Sequence, residues 1–176
     1  GSAGVVPGVL FAIVKKDPSI TEEQKIRFLF TSGAFGFVVA NNASISGAAG
    51  GCQAEVGSAS AMAAAALVEL AGGTPEMSAH AFAIAMKNML GLVCDPVAGL
   101  VEVPCVKRNA AGATNALTAA DMALAGIESR IPADEVIEAM YKIGLTMPSA
   151  LRETGRGGLA GTPTGARLKA ELFGAK

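Results

Sequence analysis

Three cysteines, Cys52, Cys94 and Cys105, are the residues of this chain best suited to chemistry; gaps of 41 and 10 residues separate them. A free cysteine is often only a small buried hydrophobe, but the neighbours of these three argue for more. Gly50 and Gly51 let backbone approach a bulky group and donate N–H to sulfur, while Pro96 and Pro104 stiffen the stretch around Cys94 and Cys105. Structural zinc sites use closely paired ligands, which this spacing lacks. His80, the only conceivable fourth ligand of imidazole type, lies mid-helix between Ala79 and Ala81 and reads as a surface or satisfied histidine. Three thiolates fall one short of the usual four for a [4Fe–4S] cluster, leaving either a fourth ligand elsewhere or one iron with an exchangeable position. Such an iron is a Lewis acid.

Polar side chains near the cysteines divide between chemistry and structure. Glu55, Asp95 and Glu102 are the nearest acids, yet each is better explained by holding a loop, so the residues mark no convincing general base and its identity stays open. Lys107, Arg108 and Asn109 follow Cys105 and can bind a carboxylate, the arginine in bidentate fashion, or meet solvent and a partner chain. Asn41, Asn42 and Ser44 can contact a substrate or cap a helix.

Composition narrows the function classes. Of 176 residues 51% are hydrophobic and only 16% charged, against about 25% charged in an average domain, which describes a single domain that packs against something else. A net charge of −1, with basic residues scattered, offers no footprint for nucleic acid or an anionic membrane. The longest uninterrupted apolar stretch, Ala61 to Val68, is far shorter than the roughly 20 residues of a spanning helix. An odd number of cysteines suits a reducing, cytoplasmic setting.

The elements that must carry these residues read as helices. Thr21 with Gln24 forms a capping box for a helix over 21–39, with a bend expected at Ser32–Gly33. The alanine-rich segment 58–70 ends at Gly72–Gly73 and is apolar on most sides, so it belongs at the centre. Thr74, Pro75 and Glu76 start a helix ending near Gly91, and further helices are expected over 110–125, 132–143 and 166–173. Period-two alternation is missing, and the fold class is all-α. Three irregular stretches, 41–56, 94–109 and 153–163, are the expected site loops.

The segments GGCQAEVGSASAMAAAA around Cys52, LGLVCDPVAGLVEVPCVKRNA across Cys94 and Cys105, and RETGRGGLAGTPTG near the end resemble the iron–sulfur L-serine dehydratases. GSAGVVPGVL at the start resembles the family's own glycine-rich segment. The resemblance covers essentially the whole chain. It implies one catalytic domain over 1–176, a [4Fe–4S] cluster on Cys52, Cys94 and Cys105, and L-serine as substrate, converted to pyruvate and ammonia. It further implies a preceding segment and a beta-type subunit or domain as partner, an oligomeric assembly, and no useful activity for this chain alone. Some relatives end in a cysteine that reaches the cluster, whereas this chain runs through GARLKAELFGAK without one, which resembles the short-tailed two-subunit type. Arg152, Glu153, Thr154 and Arg156 lie where those tailed relatives approach the cluster. A pyridoxal-phosphate dehydratase would need an α/β framework and a Schiff-base lysine, which the helical pattern disfavours. The rival outside catalysis is a helical partner-binding module or structural metal domain.

Overall fold

A computed structural model describes residues 2–174. Eight α-helices carry the described part: α1 Val5–Lys16, α2 Glu22–Asn42, α3 Gly47–Gly50, α4 Ser58–Leu70, α5 Pro75–Met89, α6 Cys105–Leu124, α7 Ala133–Thr146 and α8 Pro163–Phe173. A π-helical turn, Gln53–Gly57, leads into α4, and no β-strand is named among the described residues. The fold is all-α, and no described helix is long and apolar enough to cross a membrane.

Helix starts follow local chemistry. The Thr21 side chain accepts the Gln24 N–H while Gln24 answers the Thr21 N–H, closing a capping box on α2. The Thr74 and Thr162 side chains cap α5 and α8 by accepting the Met77 and Gly165 N–H without a reciprocal bond, each threonine followed by a proline that lacks an N–H the first turn does not use.

Packing then follows from side-chain size. Ala61 and Ala63 to Ala66 in α4 are fully buried, with α1, α2, α5 and α6 around them, because methyl-sized side chains let helices approach closely. Phe28, Phe82, Met86 and Met140 fill the spaces that remain, and the Phe35 and Phe82 rings stack with centroids 5.2 Å apart. Buried hydroxyls are answered by carbonyls: Ser60 bonds the Gly112 oxygen and Ser78 the Ala65 oxygen.

Three elements depart from expectation. Helix α1 is not among the expected helices; its Pro7 occupies the third helical position, where an N–H has no intrahelical partner. Helix α2 runs past the expected 39 to Asn42, and the Ser32 hydroxyl bonds the Phe28 oxygen at 2.9 Å inside it. Helix α6 begins at Cys105, five residues before the expected 110, since Lys107, Arg108 and Asn109 form its polar first turn rather than a loop. Small boundary shifts also extend α7 to Thr146 and start α8 at Pro163.

Candidate metal centre

Topology brings the cysteines together. Helices α4 and α5 are joined by a four-residue turn and run antiparallel, Gly57 at the start of one lying against Met89 at the end of the other. The chain therefore leaves Cys52 and returns to Cys94 at the same end. Helix α6 starts there too, with Gly112 against Val56 and Ser60. Cys52 precedes the π-helical turn, Cys105 is the first residue of α6, and Cys94 lies in the loop after α5. That loop is pinned by a short parallel bridge: the Cys94 N–H donates to the Leu151 oxygen at 2.9 Å and its carbonyl accepts the Glu153 N–H at 2.7 Å.

All three cysteines are buried, unpaired in disulfides, and line a single narrow cleft together with Glu55, Asn109 and Glu153. One carboxylate oxygen each of Glu55 and Glu153 and the Cys94 sulfur lie within 4.8 Å of one another. Glu153 reaches this place with φ of 62°, a left-handed conformation uncommon for a residue with a side chain and frequent at functional sites. The Glu55 carboxylate accepts the Ser2 N–H at 3.3 Å. Gly47 closes the wall: a Cβ there would stand 2.7 Å from the Glu55 carboxylate and 3.1 Å from the Cys94 sulfur.

Electrostatics inside the cleft separate the thiols. A hydrogen bond from Cys94 holds Cys52 below the usual thiol range against its burial, with the Arg108 charge adding to the effect. The same bond to Cys52, reinforced by burial, pushes Cys94 up. Burial likewise raises Cys105. Such a pocket accepts a group that displaces the thiol protons and pairs with the sulfurs. The donor set fits an iron–sulfur cluster: three thiols converge from three elements, and the Asn109 Oδ1 is buried among them without a hydrogen-bond partner.

Other residues singled out from sequence fall in several places. Arg108 is engaged with Asp95 at 2.6 Å, and Lys107 and Glu102 are exposed. Asn41 and Asn42 bond the Phe37 and Val38 carbonyls in the last turn of α2, and Ser44 lines a separate cleft with Arg152. Thr154 bonds the Ser149 oxygen, Arg156 is exposed, and His80 accepts the Ser129 N–H. The part played by Asp95 beyond its place after Cys94 escaped sequence reasoning; the only available signal was the run of glycines between 155 and 161 that meets it.

The family model described as serine dehydratase alpha chain matches residues 1–160. A probable L-serine dehydratase alpha chain of Bacillus subtilis is 80% identical over 174 residues, 99% of this chain and 58% of that protein. One from Latilactobacillus sakei is 67% identical over 99% of this chain and 83% of its own length. An L-serine dehydratase alpha chain of Peptoniphilus asaccharolyticus is 53% identical over 98% of this chain and 59% of its own length. The chain thus spans somewhat under two thirds of two of these three relatives.

Proposed function

From the premise that the chain belongs to the serine dehydratase alpha chain family, we propose that it forms one domain of an L-serine ammonia-lyase, releasing pyruvate and ammonia. The observation that carries this reading is the convergence of Cys52, Cys94 and Cys105 on one cleft. A [4Fe–4S] cluster on these three sulfurs would supply a Lewis acid able to neutralise charge on the departing hydroxide of serine.

The chain's own groups meet the remaining demands. Removal of the α-proton needs a base at the cleft, and the Glu55 and Glu153 carboxylates beside Cys94 are the acids in place to accept it. The unpartnered Asn109 Oδ1 is positioned to accept an N–H of the substrate's amino group. Gly47, Val56, Pro96 and Val101 surround the sulfurs with apolar or backbone atoms and keep bulk water from them. Elimination leaves an aminoacrylate, which tautomerises and hydrolyses to pyruvate without further catalytic groups.

A beta-type subunit or domain completes the site in this reading, within an oligomer in the reducing cytoplasm. The sparse charge of the chain and its exposed Phe11, Phe30 and Phe37 support such a partner. A partner-binding module without chemistry would leave the three-cysteine cleft without purpose. Anaerobic reconstitution of the complete enzyme, followed by iron and acid-labile sulfide analysis and a pyruvate assay with L-serine, tests the proposal. Four irons and four sulfides per chain with turnover support it; a chain that turns over serine without iron overturns the cluster reading.

A further inference from the structure

Asp95 and Arg108 form a buried ion pair beside the sulfurs, Nη1 to Oδ1 2.6 Å, with side chains 4% and 19% exposed. The other Asp95 oxygen accepts the Leu159 N–H at 2.7 Å, so the carboxylate is engaged on both sides. Close approach of that loop requires Gly158, with φ of 59°, where a Cβ would fall 2.3 Å from the Asp95 carboxylate. Arg108 Nη1 also donates to the Val93 oxygen at 2.9 Å and faces the Cys52 sulfur at 4.0 Å. A guanidinium held by a desolvated carboxylate cannot turn to a substrate without stranding that carboxylate, which is strongly unfavourable.

We infer that Arg108, oriented by Asp95, is a positioning residue for the cluster rather than an anchor for the serine carboxylate. This deepens the cluster reading above and rests on it. The fixed positive charge beside Cys52 favours the reduced, more negatively charged state of a cluster held there, because charge and hydrogen bonding around the sulfurs set cluster potentials. Arginine suits the place: its guanidinium stays charged when buried, and its Nη1 meets the Asp95 carboxylate, the Val93 oxygen and the face of the Cys52 sulfur together.

The test compares the complete enzyme with its Arg108→Gln, Arg108→Lys and Asp95→Asn forms, each reconstituted anaerobically. Three quantities are read: the cluster's midpoint potential, the rate of iron loss to a chelator, and KM for serine. The expected result is a more negative midpoint and iron loss faster by roughly tenfold or more in Arg108→Gln. Arg108→Lys should recover most of the potential, Asp95→Asn, which frees Arg108 while removing a negative charge, should speed iron loss without lowering the midpoint, and KM should stay within about twofold. Should Arg108→Gln fail to fold, the lysine and Asp95→Asn forms carry the comparison, because both retain a cation at 108. Unchanged potential and iron retention overturn the inference. A raised KM with an unmoved potential also overturns it and makes Arg108 the carboxylate anchor. Failure of the unsubstituted enzyme to take up a cluster defeats the cluster reading and this inference together, whereas a loaded parent with indifferent variants defeats the inference alone.

Discussion

Each cysteine of the cleft is isolated in sequence and crowded in space. A thiol in such a place is costly to ionise unless a cation or metal meets it, and Cys52 already leans on Cys94 and Arg108 for that purpose. Changing Cys52, Cys94 or Cys105 to Ala removes one donor and only a single heavy atom of packing, so the helices should persist. Serine deamination by the complete enzyme is expected to fall at least about 10²-fold, equivalent to ~2.7 kcal/mol in barrier, with matching loss of iron and unchanged far-ultraviolet circular dichroism. A variant retaining full iron and near-normal turnover would show that its cysteine is no ligand.

At the scale of elements, close approach of helices depends on particular glycines and is indifferent to others. Gly144 of α7 meets Gly50 of α3, and a Cβ on Gly144 would lie 2.9 Å from the Gly50 Cα, a backbone atom that cannot swing aside. Gly33, in the middle of α2, has nothing within 4 Å of the same imagined atom. Opposite effects are therefore expected from the same substitution. Gly144→Ala should destabilise by about 1–3 kcal/mol through overpacking, lowering the melting temperature by roughly 2–4 °C per kcal/mol. Gly33→Ala should stabilise by up to about 1 kcal/mol, since alanine restricts the unfolded chain and suits a helix. Thermal melts of the two variants side by side would decide; a lowered midpoint for Gly33→Ala would show that the open space beside Gly33 is not free to hold a methyl.

Over the whole molecule, the cleft is built at one edge of a larger apolar surface. Glu55 and Ser2 belong both to the cysteine cleft and to a neighbouring groove between α1, α2 and α4, bordered by Val6, Leu29, Phe37 and Met62. Phe30 and Phe37 are 76% and 70% exposed, more apolar surface than a chain with little charge readily leaves in water. Cluster binding and catalysis should therefore separate. The 176-residue chain, reconstituted anaerobically, is expected to hold iron and sulfide but to form pyruvate from L-serine only when a beta-type partner and the remaining part of the enzyme are supplied. Full turnover by the chain alone would reject that expectation and place every catalytic group within it, with Glu55→Gln and Glu153→Gln the first variants to assay.

Local chemistry was readable before any coordinates. Thr21, Thr74 and Pro132 mark helix starts, the alanine run marks a central helix, and the absence of alternation marks an all-α class, because caps and periodicity act over a few residues. The three cysteines were legible as a set from their glycine and proline neighbours. Tertiary structure decided what those signals leave open. The Lys107–Asn109 run looks like loop until helix packing supplies the apolar contacts that favour a helical backbone there. Glu153 could be matched with Glu55 across 97 intervening positions only by the bridge between Cys94 and Arg152. Arg108 reads as a free cation until Asp95 is seen beside it, held by a loop more than 60 residues further along. Pairings of that kind depend on the antiparallel return of α4 and α5 and on the parallel placement of α6, and no local preference encodes a distance between remote side chains.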